Sequence, residues 1–179
     1  MCYIKKMQRI LITILIFLFF SPVAYGLTLE GGVSYTVESA RKEAFDGVKY
    51  KIPVSSFKEH LKDPNFAENK AALAAGVQDL GDRKICLFSD GTYGVFYINN
   101  MYNVYFYDKY GRLDSMDIRS SLTFPVKTYK YTPKGILENV VFDISLKETF
   151  IYKLNGELEG HWVDDNCYDE KGNLVLRRF

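Results

Sequence analysis

At 179 residues, the chain is the length of one domain and can bury a substantial core. Its 23 Lys+Arg against 22 Asp+Glu form no basic run beyond the N-terminus, which argues against nucleic acid as a partner. Tyr and Phe are heavily used, mostly after Leu87, a bias that suits β-structure and also suits contact with sugars or peptides.

The first 26 residues read as an export signal. Lys5, Lys6 and Arg9 form a basic start, and Ile10–Phe20 is an unbroken apolar run, short of a spanning helix. Ser21-Pro22 breaks the run, and Ala24 and Gly26 suit cleavage before Leu27. An uncleaved anchor is the alternative. No cysteine follows the apolar run, so no lipid anchor is expected there. Cleavage would remove three basic and no acidic residues, leaving a net formal charge of −2. The expected location is therefore exported (periplasmic, cell-surface or secreted), with no membrane partner once the signal is gone.

Residues 27–82 read as a small helical part. Leu27–Tyr35 is short and extended, broken by Gly31-Gly32. Val37, Ala40, Ala44 and Phe45 fall at helical spacing, and Asp46-Gly47 stops that helix. Val48–Val54 reads as extended. Ser56-x-x-Glu59 reads as a capping box opening a short helix through Leu61. Asp63-Pro64 starts a longer helix with Phe66, Leu73, Val77 and Leu80 as its apolar stripe, ended by Gly81. These helices are expected to cover a face or an open edge of a sheet.

Residues 83–179 alternate as strands do. Val104 and Phe106 point one way, Tyr105 and Tyr107 the other; Val140, Phe142 and Ile144 share a face, as do Phe150 and Tyr152. Leu158, Gly160 and Trp162 are expected on one face, with His161 opposite. Five short turns punctuate the run, with glycines at 91, 111, 135, 156 and 172. In an Asp-x-x-Gly turn the carboxylate accepts hydrogen bonds from the turn's own amides, and the glycine supplies the positive φ that returns the chain. The spacing leaves room for two strands per turn, so the unit is a hairpin, and eight to ten antiparallel strands are expected. The expected class is α+β: a small helical N-terminal part packed on a curved antiparallel meander of repeated β-hairpins, with 27–179 as one compact domain.

Two turns, Tyr107-Asp108-Lys109-Tyr110-Gly111-Arg112-Leu113 and Tyr168-Asp169-Glu170-Lys171-Gly172-Asn173-Leu174, are the sharpest copies. Tyr131–Leu137 and Tyr152–Leu158 are looser ones. This Tyr-Asp-x-x-Gly-x-Leu pattern, over the C-terminal half, resembles the YD repeat of bacterial Rhs-type and teneurin-type surface proteins. The resemblance implies local hairpin folding and an extracytoplasmic habit. Four or five hairpins are too few for the closed shell those proteins build, and no catalytic residue carries over.

Cys86 and Cys167 are the two cysteines beyond the signal. In an exported protein they are either joined as a disulfide closing most of the repeat region or two buried thiols; both readings stand. His161 with Asp164, Asp165 and Asn166 is the one constellation resembling acid–base or cation-binding chemistry, and a polar strand face running into a solvated turn is the favoured reading, because no nucleophile or second ligand set is spaced with it. No Cys-x-x-Cys, phosphate loop, dinucleotide fingerprint or nucleophile elbow occurs, so no cofactor and no metal are expected. The better candidate surface is aromatic: Tyr93, Tyr97, Tyr102, Tyr105 and Tyr107, with Tyr110 and neighbouring asparagines, could stack a sugar or grip a peptide. Cross-strand packing is the competing use of the same rings. The functional expectation is an exported non-catalytic binding or structural module of the bacterial envelope or surface, with a cell-envelope glycan or a protein as partner. The alternatives are a secreted hydrolase using His161 with Asp164/Asp165, and an accessory partner of a larger YD-repeat protein.

Overall fold

The structure, a computed structural model, describes residues 35–178. The signal segment 1–26 and the extended stretch expected up to Ser34 lie outside the described residues. Tyr35–Phe179 forms a compact unit. Ten strands make one antiparallel sheet: β1 (Arg83–Leu87), β2 (Tyr93–Tyr97), β3 (Asn103–Tyr107), β4 (Leu113–Arg119), β5 (Val126–Tyr131), β6 (Leu137–Asp143), β7 (Glu148–Lys153), β8 (Leu158–Val163), β9 (Asn166–Tyr168) and β10 (Leu174–Arg177). Their order in the sheet is their order in the chain, so every connection is a hairpin.

The five glycine turns all lie at one end of this meander, and one geometry recurs among them. Asp108 Oδ1 accepts from the amides of Tyr110 (2.8 Å) and Arg112 (2.9 Å), and Asp169 Oδ1 from those of Lys171 (2.9 Å) and Asn173 (2.8 Å). Thr132 Oγ1 takes the same role toward Lys134 and Ile136. In four of these hairpins the strand after the turn opens with a leucine followed by a bulged residue. The register slips at Asp114, Glu138, Glu159 and Val175. Because a bulge places two residues opposite one, it reverses the alternation behind it. Leu158 therefore shares the core face with His161, and Gly160 and Trp162 take the opposite face. That corrects the expectation that Leu158, Gly160 and Trp162 point together.

The α+β class is also overturned. Among the described residues helix is confined to α1 (Val37–Phe45) and α2 (Phe66–Ala74), nine residues each, with two three-residue 3-10 turns at Val54–Ser56 and Lys58–His60. The protein is mainly β. Between the helices the chain runs as a strap clipped to the sheet by backbone bonds: Ile52 N–H to Gly135 O (2.8 Å), Leu137 N–H to Tyr50 O (3.0 Å), Asp63 N–H to Gly111 O (2.8 Å) and Leu113 N–H to Leu61 O (3.0 Å). Val48–Val54 is accordingly no strand and pairs only at Lys51, opposite Ile136. The Ser56 capping box does not form; the Ser56 hydroxyl donates to Pro53 O instead. The second helix starts later and stops earlier than Asp63–Gly81. Asp63 turns inward, Asn65 occupies the cap, and Gly76 (φ +72°) ends the helix with its N–H on Leu73 O. Val77 and Leu80 lie beyond it, in a stretch that straps the outer edge of β1: Ile85 N–H donates to Gln78 O, and Leu80 N–H to Arg83 O.

The core lies between the sheet and this strap. Ala40 and Ala44 of α1, Phe57 of the strap and Ala72 of α2 pack on Ile85, Val95, Met116, Leu137, Val140, Phe142, Phe150 and Leu158. Small residues on the helices let α1 approach β6 and β7 closely.

Candidate functional site

The expected tyrosine platform divides. Tyr93 and Tyr107 are fully buried and Tyr105 is 2% exposed, all three facing the strap as core. Tyr97 is half-buried, and Tyr102 and Tyr110 stand at opposite ends of the sheet. A period-two pattern puts alternate rings on one face, and here that face is the one the strap covers. These rings meet polar groups of the strap. Tyr93 Oη donates to Asp63 Oδ2 (2.6 Å), which also accepts from Asn69 Nδ2 (2.8 Å); Asn69 Oδ1 accepts from Arg83 Nε (2.8 Å). His60 stacks on Tyr105 with ring centroids 3.8 Å apart, and its Nδ1 is 3.4 Å from Tyr107 Oη. Burial lowers the His60 pKa against the opposing pull of Glu59 and Asp63, so the stacked imidazole favours its neutral form. Desolvation, with Asp63 adding to it, pushes the Tyr93 phenol far up. This network fixes the strap to β1–β3 and leaves no ring face of Tyr93, Tyr105 or Tyr107 for a ligand.

What the strap and the β3–β4 turn create at the surface is a groove. Lys62 pairs with Arg112 as an isolated bridge, and Phe66 lays its ring on Gly111, where a Cβ would come within 2.5 Å. Lys62, Asp63, Phe66, Tyr110, Gly111 and Arg112 line an open groove of about 500 Å³. Tyr110 stands at its rim, 63% exposed, with the Lys109 ammonium 5.1 Å and the Arg112 guanidinium 5.3 Å from its ring centroid. Arg112 Nε is held by Asp108 Oδ2 at 2.7 Å. Burial would raise the Asp108 carboxyl, but hydrogen bonds from the backbone and side chain of Arg112 and from Tyr110 N–H outweigh it and hold it below the ordinary range. The arrangement is an exposed aromatic face, three cations within one turn and strap, and a cleft beside them. Its sequence signal was the Tyr110 inside an Asp-x-Tyr-Gly turn; Lys62 and Phe66 arrive from nearly fifty residues away and carry no local signal.

His161 is placed differently from the expected constellation. Its ring stacks on Phe150 (3.9 Å) and its Nε2 lies 2.9 Å from Glu148 Oε1, across the β7–β8 pair. Asp164 pairs instead with Lys147 Nζ at 3.5 Å and takes φ +50° in the tight β8–β9 turn, whose next residue, Asp165, accepts from Arg178 N–H. The carboxylate beside His161 is therefore Glu148. Among the described residues no group of three or more His, Cys, Asp or Glu side chains is placed to hold a metal ion.

Cys86 on β1 and Cys167 on β9 are both free thiols with seven strands between them in sheet order, which speaks against the disulfide reading. Burial pushes the Cys167 thiol up to about 11.

The sheet face away from the strap carries polar groups the sequence pattern did not single out. Asp117, Lys130 and Asn139 stand opposite one another on β4, β5 and β6, all nine-tenths or more buried. Both amide atoms of Asn139, one Asp117 oxygen and the Ser115 hydroxyl have no hydrogen-bond partner in the structure. Asp143 accepts from Thr149 Oγ1 at 2.7 Å.

Comparison with protein-family models, with curated proteins and with solved structures found no match for this chain.

Proposed function

We propose that the protein is an exported, non-catalytic binding module of the cell envelope or surface, and that it engages an acidic envelope glycan at the Tyr110 groove. One observation carries this reading: an exposed tyrosine face flanked by Lys109 and Arg112 at the rim of an open cleft. A sugar ring presents C–H bonds to an aromatic face, and carboxylate or phosphate substituents find Lys62, Lys109 and Arg112 within the same turn and strap. The cleft is preformed, because Phe66 on Gly111 and the Asp63–Tyr93–Asn69 bonds hold the strap in place. Export is supported by the basic and apolar N-terminal segment.

Co-sedimentation of the Tyr35–Phe179 unit with isolated cell-wall sacculi tests the reading. Saturable binding is expected, with a loss of about tenfold in Tyr110→Ala from removal of one stacking face. Equal binding by the two proteins would remove the groove from the account.

A second reading, docking beside a larger hairpin-repeat protein, draws on β10. All four of its residues are exposed and it forms the outer strand of the sheet, whereas β1 at the other edge is strapped by Gln78–Leu80. Concentration-dependent self-association abolished by Val175→Pro would favour it; a monomer at every concentration would count against it.

A further inference from the structure

The sheet face away from the strap gathers buried polar groups at one place. Ser115 and Asp117 on β4, Lys130 on β5 and Asn139 on β6 all lie on that face, because they alternate with core-facing Met116, Tyr131 and Val140. Asp117 stands directly opposite Lys130, and Lys130 directly opposite Asn139, so the cluster spans three adjacent strands, about 10 Å across. In that order the four residues are 1%, 5%, 8% and 2% exposed.

Burial to this degree is ordinarily accompanied by pairing. Here it is not. The Ser115 hydroxyl, one Asp117 oxygen and both amide atoms of Asn139 have no hydrogen-bond partner. Among the described residues no ion pair joins Asp117 to Lys130, although directly opposed positions bring Cβ atoms within about 5 Å of each other. The Lys130 ammonium leans back across β4 instead, 5.9 Å from the centroid of the Phe106 ring on β3. Apolar residues flank the cluster on the same face: Val104 and Phe106 of β3 on one side, Val141 of β6 and Ile151 of β7 on the other, all buried.

We propose that this cluster is a binding site for a small zwitterion of the α-amino-acid type. Its ammonium rests on Asp117, its carboxylate on Lys130 and Asn139, and its side chain against the flanking apolar residues. The two unpaired charges narrow the ligand. Water supplies hydrogen bonds to Asn139 and Ser115 but neutralises neither charge, and an ion of one sign pairs with only one of the two. An α-amino acid carries both charges on one carbon, a separation suited to two directly opposed side chains. The Asn139 amide and the Ser115 hydroxyl each donate and accept, so they serve either end. A few convergent polar groups in apolar surroundings are the usual composition of a small-molecule site. The proposal does not depend on what the Tyr110 groove binds.

Amide chemical-shift titration of the Tyr35–Phe179 unit, which contains its own core, with L-leucine tests the site. Isocaproate and isoamylamine are the comparison probes, each keeping the same side chain and lacking one charged end. L-leucine is expected to give saturable shifts at Ser115, Asp117, Lys130 and Asn139, and each single-charge probe to bind about tenfold or more weaker. Lys130→Met and Asn139→Leu should each weaken L-leucine binding by about tenfold or more. Asn139→Leu is the sharper variant, because its fold is expected to be at least as stable as the wild type, which separates lost binding from lost folding. No saturable shifts with L-leucine or glycine, equal binding of the single-charge probes, unchanged binding in Asn139→Leu, or shifts centred on the Lys109–Arg112 turn would each overturn the proposal. So would a crystal soaked in L-leucine that shows only ordered water on these four side chains.

Discussion

Asn139 is 2% exposed with neither amide atom bonded to another protein group, an arrangement that leaves a buried dipole unpaired within the protein. Replacing it with leucine of similar size should stabilise the fold by about 1–2 kcal/mol, readable as a raised denaturation midpoint. A lowered midpoint would mean that the amide is satisfied in solution by a water held on that face. The turn glycines separate in the same way by their surroundings. Gly172 (φ +80°) has nothing within 4 Å of where a Cβ would sit, so Gly172→Ala should cost only the left-handed backbone penalty, about 1 kcal/mol. At Gly135 the Cβ would meet the Ile52 carbonyl oxygen at 2.2 Å, the carbonyl's own residue being bonded to Gly135 through its N–H. Gly135→Ala should therefore cost roughly 2–5 kcal/mol, and equal losses at the two positions would contradict the close approach of strap and turn. Sequence alone could place a glycine in both turns. It could not distinguish them, because the difference is made by a strap eighty residues upstream.

At the scale of elements, the hairpin is a unit of turn, leucine and bulge. Leu113, Leu137 and Leu158 are buried, and the residue after each, Asp114, Glu138 or Glu159, is squeezed out of register toward solvent. Deleting Glu138 should throw Leu137 onto the wrong face, or force the turn to rearrange. We expect a loss comparable to Leu137→Ala, about 2–5 kcal/mol by chemical denaturation. Tolerance of the deletion would mean that the bulge is incidental. The strands and the glycine turns were legible because alternation and Asp-x-x-Gly are local patterns. The bulges escape strict alternation although leucine followed by an acid recurs three times, and alternation misassigns Leu158 as a result. The N-terminal segment was less legible. The capping pattern at Ser56 and the Asp63-Pro64 start are sound local signals, but tertiary bonds took their residues elsewhere: Asp63 to Tyr93 and Asn69, and the backbone near Leu61 to Leu113. The buried tyrosines followed from the same limit, since alternation says which rings share a face but not which face is covered.

For the molecule as a whole, buried charge sets the response to pH. Burial raises Asp117 to about 6 against the attraction of Lys130 and Arg119, and burial raises Asp143 to about 6 against the Thr149 hydrogen bond and Arg119. An unfolded aspartate titrates near about 3.9. Between about pH 4 and 6 the folded protein thus holds more protons than the unfolded chain, and stability falls as pH rises through that window. Below it the order reverses, because hydrogen bonds hold Asp108 and Asp169 below the ordinary range and their contribution is lost on further acidification. The melting temperature should therefore peak near about pH 4 and decline toward about pH 6, the two raised aspartates outweighing the single His60, whose lowered pKa favours the fold as pH rises toward its unfolded value. Asp117→Asn should flatten the decline, and a melting temperature that rises from about pH 4 to 6 would contradict the burial of these carboxyls. The most direct test of the groove is amide chemical-shift mapping of the Tyr35–Phe179 unit titrated with soluble cell-wall glycan fragments. Shifts confined to Lys62, Phe66 and the Lys109–Arg112 turn are expected, whereas shifts centred on His161 and Glu148, or none at saturating glycan, would contradict a glycan-binding role for the Tyr110 groove.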